Sequence, residues 1–232
     1  MVNLVSIGVI LLAAIVHAML QLGLGSLLLL YHASLGKHIR IKTRRLASNF
    51  ILGASLMTIL TLSAGCFFIA TLSDGTLSLL ELSATVGILV ALAFCAWFFY
   101  YRSGRSTELW LPKSVTRFIN RRAKKTESNV EAFSLGLLAG FAEMPFSLAL
   151  MLVAGNSILE LDSIWQPVAI VGYTLIALSP LVILRVCVRR GKTIVDIQRW
   201  RAKNKNFFKT LLGVGFLTLA AFLAAFKIMG NH

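Results

Sequence analysis

Two ionisable residues, His17 and Glu143, each lie near the centre of a long apolar run in this 232-residue chain. An ionisable group at the centre of a membrane helix costs about 2.5–3.5 kcal/mol, so such residues are rare and commonly serve an ion or proton pathway. We therefore predict that Glu143 and His17 bind a cationic substrate, a metal ion or a coupling proton. The alternative is that each only hydrogen-bonds a neighbouring helix.

Five further polar or helix-breaking residues complete the predicted substrate site: Gln21, Ser26, Pro145, Ser147 and Pro180. The glutamine follows the histidine by four residues, so both lie on one helix face. The serines supply hydroxyl groups. The prolines cannot donate a backbone hydrogen bond, and carbonyl groups freed near such breaks can line a polar cavity.

The composition places these residues in a membrane protein. Hydrophobic residues make up 57% of the chain and charged residues only 14%, whereas soluble domains average about 25% charged residues. About 20 apolar residues span a bilayer as a helix. Six runs reach that length, at 4–31, 50–72, 77–101, 132–154, 165–186 and 207–228. We predict an all-α polytopic fold with six transmembrane helices.

The basic residues predict the orientation of these helices. All Lys and Arg residues except Lys227 fall within 32–49, 102–131 or 185–209, although the formal net charge is +14. Cytoplasmic loops carry an excess of Lys and Arg, so both termini are predicted to face outward. The basic face would also attract anionic lipid. This explains the positive charge without a nucleic-acid partner.

The predicted topology divides the chain into two halves. We assign 1–101 and 132–232 as three-helix repeats, joined by a basic cytoplasmic linker at 102–131. The first helices of the two halves would run in opposite directions, which is the inverted arrangement of many secondary transporters. Such a repeat would bring His17 and Glu143 to mid-membrane at the interface between the halves.

Motifs for catalysis or cofactor binding are missing from the sequence. The cysteines Cys66, Cys95 and Cys187 are far apart, and no CxxC pair, HExxH, GxSxG or Walker loop occurs. We therefore predict neither an enzyme nor a bound cofactor. A lipid-modifying enzyme would require a lateral opening to the bilayer near His17 and Glu143.

Two segments resemble the LysE-like exporter superfamily. Residues 132–152, AFSLGLLAGFAEMPFSLALML, are similar to its glycine- and proline-bearing signature helix, and 197–226 are similar to its basic, Asn-containing loop and Gly-rich last helix. The resemblance implies six helices in a three-plus-three inverted arrangement. It also implies that Glu143, Pro145 and Ser147 lie on the substrate path.

The chain departs from that pattern at two points. Helix 1 shows Gln21 and Gly23 where this group often has a proline, and helices 1 and 4 lack the cysteines of the thiol-relay branch. The second departure excludes electron transfer.

The sequence thus leaves two functions open. The first is a multi-pass exporter of the inner (plasma) membrane that moves a small cationic solute or metal ion by alternating access. The second is a non-transporting scaffold or accessory subunit, which would bind lipid or a partner through its basic cytoplasmic loops. Either protein can form a homodimer.

Overall fold

The computed structural model describes residues 4–20, 40–73, 77–99, 118, 121–123, 126–190, 199–200 and 203–225. These residues form helices and turns and contain no strand, so the predicted all-helical class is confirmed. The helices are α1 (Leu4–Leu20), α2 (Arg40–Leu72), α3 (Leu79–Phe99), α4 (Asn129–Leu159), α5 (Trp165–Ala177), α6 (Ser179–Arg189) and α7 (Lys205–Leu223).

Four of these helices, α2, α3, α4 and α7, are long and apolar enough to cross a membrane. Helices α5 and α6 meet at a bend of 46° and provide a fifth span if they are taken together. Helix α1 is apolar but has only 17 described residues, because the rest of the predicted run 4–31 lies outside the described residues. The described helices are those of a membrane protein.

Two helices begin earlier than their apolar runs. Helix α2 starts at Arg40 rather than at residue 50, so part of the predicted connection 32–49 is helical. Helix α4 starts at Asn129 rather than at residue 132, after a capping box in which Ser128 and Glu131 each bond the other's backbone N–H. Hydropathy defines only the part of a helix that suits lipid, whereas capping groups stabilise its polar end.

The contact between α2 and α4 is the most extensive in the structure. The two helices are parallel, because Phe50 faces Gly136 and Cys66 faces Gly155. A Cβ atom on Gly136 would overlap the carbonyl oxygen of Phe50, and one on Gly53 would overlap that of Phe133. Glycine at both positions lets the two backbones approach this closely.

Helix α1 packs between α4 and α5. Its contacts with α4 pair Ser6 with Glu160 and His17 with Glu143, so these two helices are antiparallel. Its contact with α5 pairs His17 with Tyr173, and Ser6 lies beside the connection that precedes α5, so α1 and α5 are parallel. Helix α3 packs mainly against α7.

The two prolines of the predicted site act differently on their helices. Pro180 lies in the first turn of α6, directly after the bend at Leu178. It cannot donate the hydrogen bond that would continue α5, which explains the break. Pro145 lies inside α4, and the helix continues from Asn129 to Leu159 on both sides of it.

Candidate functional site

The structure brings His17 of α1 and Glu143 of α4 together, and it adds Tyr173 of α5. The Nε2 atom of His17 lies 3.8 Å from Oε2 of Glu143. Its Nδ1 atom lies 3.0 Å from the hydroxyl oxygen of Tyr173. Both ring nitrogens of His17 therefore face a polar group, each from a different helix.

This three-residue contact is buried. Only 1% of His17, 6% of Glu143 and 1% of Tyr173 is exposed. If the Tyr173 hydroxyl donates to Nδ1, the neutral imidazole carries its proton on Nε2 and directs it toward the Glu143 carboxylate. The distance of 3.8 Å is longer than a hydrogen bond, so a small approach of the two side chains would close the bond.

Ser147 belongs to the same buried region of α4. It lies one turn beyond Glu143, is 1% exposed, and donates its hydroxyl hydrogen to the backbone carbonyl of Glu143 at 3.2 Å. A serine that bonds back to its own helix satisfies its hydroxyl group without a second helix. Its Oγ atom remains next to the Glu143 turn.

The other predicted site residues lie elsewhere. Pro145 is exposed, on a different face of α4 from the buried Glu143. The carbonyl group it leaves without a helical donor belongs to Phe141, which is also exposed. Pro180 is half-buried at the start of α6. Gln21 and Ser26 lie outside the described residues.

Tyr173 is the residue that the sequence reasoning missed. Tyr in membrane proteins is enriched at the two interfaces, where its hydroxyl group reaches water. Tyr173 instead lies eight residues into the predicted span 165–186, and it is almost completely buried. A tyrosine so far inside an apolar run is the signal that could have identified it, because a buried hydroxyl group needs a hydrogen-bond partner.

Next to this site, an apolar groove with a volume of about 350 Å³ separates α1 from α5. We call it the α1–α5 groove, and six of its ten lining residues are Ile7, Ile10, Leu11, Trp165, Gly172 and Tyr173. A Cβ atom on Gly172 would meet nothing within 4 Å. The Tyr173 side chain therefore lines the groove and also reaches the imidazole of His17.

A second polar cluster lies at the other end of the α1–α4 contact. The Ser6 hydroxyl donates to a Glu160 carboxylate oxygen at 2.6 Å, and the Asn156 amide donates to the other oxygen at 3.4 Å. The Asn156 side-chain carbonyl accepts the backbone N–H of Leu77 at 2.8 Å. The cluster joins α1, α4 and the segment that leads into α3.

The donor set offers little to a metal ion. Within the described part of the chain, no group of three His, Cys, Asp or Glu residues is placed to hold one. His17 and Glu143 supply two ligand types, but both imidazole nitrogens already face Tyr173 or Glu143. No protein-family model, curated protein or solved structure matches this chain.

Proposed function

We propose that this chain is a secondary transporter of the inner (plasma) membrane, which exports a small cationic solute by alternating access. The observation that carries the proposal is the buried contact of Glu143 and His17, which lie on different helices and are joined through His17 to Tyr173. Burying a carboxyl group away from water costs free energy, so a membrane protein rarely retains one without a functional role. Export from the cell follows the LysE-like resemblance.

The pattern of helix contacts supports the inverted repeat. We take α5 and α6 together as one bent span. The inverted repeat would then relate α1 to α4, α2 to the bent span, and α3 to α7. Under this relation, the counterpart of the contact between α2 and α4 is the contact between α1 and the bent span. The counterpart of the contact between α1 and α7 is the contact between α3 and α4. All four contacts are present.

Three of the remaining contacts between spans are consistent with the same relation, and one lacks its counterpart among the described residues. Three contacts would each be their own counterpart under this relation, and all three are present: α1 with α4, α2 with the bent span, and α3 with α7. Helix α4 also touches α5. The counterpart of that contact would join α1 to α2, and the described residues of these two helices make no comparable contact.

The repeat gives a direction to the proposed opening. The closed glycine contact uses the N-terminal halves of α2 and α4, which follow the basic connections predicted to be cytoplasmic. The α1–α5 groove uses the N-terminal half of α1, which is predicted to lie outside. We therefore assign the structure to a state that is closed inside and loosened outside, with six spans and both termini outward.

Within this site, we assign Glu143 to the coupling proton rather than to a metal ion. A carboxyl group can bind and release a proton, and Nε2 of His17 lies 3.8 Å from Oε2 of Glu143, so a small approach of the two side chains would let them exchange it. The solute would replace that proton at Glu143 when the site opens. A metal ion would instead have to displace Tyr173 or separate His17 from Glu143.

A thermal-shift screen tests this proposal. The Tm of the purified parent protein is measured with metal ions and with cationic amino acids. Glu143→Gln is measured in the same way, and Glu160→Gln on the same helix is the matched control. A ligand at 100 times its Kd stabilises by about 2.7 kcal/mol. We expect the cationic amino acids, and not the metal ions, to raise the Tm of the parent and of Glu160→Gln but not of Glu143→Gln. An equal rise in Glu143→Gln would contradict the proposal, and no rise with any cation would favour the scaffold.

A further inference from the structure

The lining of the α1–α5 groove suits a hydrocarbon chain. None of its ten lining residues is charged, and the Trp165 and Tyr173 rings carry its only polar side-chain atoms. The Tyr173 hydroxyl group already contacts His17. A hydrated cation would lose water in this groove without gaining a partner, which is unfavourable. The groove therefore favours an apolar ligand.

The rims of the groove are exposed apolar side chains. Leu11 on α1 is 43% exposed and Val168 on α5 is 57% exposed, and both line the groove. Exposed apolar side chains on a membrane-spanning helix meet lipid rather than water. The groove thus opens sideways, where acyl chains are the surrounding medium.

One end of the groove is acidic. Glu160, which bonds Ser6, directly precedes the lining residue Leu161 in sequence, and Asp162 follows it. No Lys or Arg occurs in the sequence within 4–20 or 155–184. This charge distribution attracts an ammonium group and repels an anionic headgroup. The exposed Trp165 ring adds a surface on which an ammonium group can rest.

We propose that the α1–α5 groove binds one acyl chain of a zwitterionic, amine-headed phospholipid. The chain lies against Gly172 and Tyr173, and the ammonium group lies beside Glu160 and Asp162. This site is distinct from the anionic lipid expected at the basic face. It does not depend on the proposed transport activity, because only the shape, lining and charge of this one groove support it.

Fluorescence quenching by brominated lipid tests the site directly. Trp97→Phe, Trp110→Phe and Trp200→Phe leave Trp165 as the single tryptophan. This protein is reconstituted in phosphatidylethanolamine and phosphatidylglycerol vesicles, in which a rising share of the phosphatidylethanolamine carries brominated chains. Random mixing makes quenching follow the mole fraction. In vesicles with equal amounts of the two lipids, we expect quenching to follow the brominated share of the phosphatidylethanolamine, about twofold above its mole fraction in the whole bilayer, which reports preferential binding.

A matched pair of substitutions locates the bound chain. A Cβ atom at Gly172 or at Gly87 meets nothing within 4 Å, so both positions accept a larger side chain, but only Gly172 lines the groove. Gly172→Leu should restore the random-mixing curve, and Gly87→Leu should retain the preference. Random mixing in the parent protein, or an unchanged preference in Gly172→Leu, would overturn the proposal.

A separate measurement tests which headgroup the site prefers. Brominated phosphatidylglycerol in the same vesicles should quench Trp165 no more than random mixing predicts, because the acidic end of the groove repels its headgroup. A preference equal to that for phosphatidylethanolamine would overturn the amine assignment. Far-UV circular dichroism confirms that each variant is folded, and the parent curve decides the existence of the site even if Gly172→Leu does not fold.

Discussion

Two helix pairs of this molecule are equivalent under the proposed repeat and yet pack in opposite ways. Helices α2 and α4 meet so closely that a Cβ atom on Gly53 or Gly136 would overlap the partner's backbone. Helices α1 and α5 leave a groove of about 350 Å³ between them, and a Cβ atom on Gly172 would meet nothing within 4 Å.

The difference identifies which contact is free to change. Packed interiors have two discrete arrangements rather than a continuous range, so a closed contact and an open one are natural end states of one motion. Glu143 follows Gly140 of the closed contact by three residues, and Tyr173 lines the open one. The site therefore lies between the two contacts.

The largest expected effect is at the closed contact. Gly136→Ala should destabilise the protein by about 3 kcal/mol, because the new Cβ atom meets the Phe50 backbone rather than a flexible side chain. The Tm in detergent should fall by roughly 6–12 °C. Gly65→Ala is the control in the same helix pair, since its Cβ atom would meet only the Leu152 side chain, at 3.9 Å, and should cost less. Equal losses in both variants would show that backbone contact does not set the cost.

A smaller effect is expected where the open contact meets the site. Tyr173→Phe removes the hydroxyl group that His17 contacts and should cost about 1–2 kcal/mol, because a buried ring nitrogen loses its partner. A double-mutant cycle with His17→Leu measures this interaction. A coupling energy near zero would mean that Tyr173 does not hold the imidazole.

The smallest effect has the opposite sign. Gly172→Ala should stabilise the protein by about 0.5–1 kcal/mol, since Ala favours helix over Gly and the added methyl group meets no protein atom within 4 Å. The Tm should rise by roughly 1–4 °C. A fall comparable with that of Gly136→Ala would mean that the two helix pairs are equally closed, and the contrast between them would be lost.

The sequence predicted the helical class and the locations of the apolar helices, because long apolar runs have few other stable forms. It did not predict the start of α2, since the basic residues Arg44 and Arg45 are helical here although hydropathy excludes them from the span.

For the site, the positions of His17 and Glu143 inside apolar runs pointed to two residues that the structure buries together, and Tyr173 carried the same signal. The contact of Tyr173 with His17 depends on α5 packing beside α1, which no local pattern encodes. The position of Pro145 on the exposed face of α4 also depends on packing, since proline frees a carbonyl group but does not decide where that group points.

The most direct test of the account asks whether the two contacts exchange. Cys66, Cys95 and Cys187 are replaced by serine, and spin labels are placed on the exposed pair Leu11 and Val168 or on the exposed pair Leu52 and Phe141. Double electron–electron resonance in vesicles then measures each distance distribution.

We expect two populations for each pair, with the fraction that is open across α1 and α5 equal to the fraction that is closed across α2 and α4. In Glu143→Gln, both fractions should shift together. A single fixed distance for each pair, or opening of both pairs at once, would contradict alternating access.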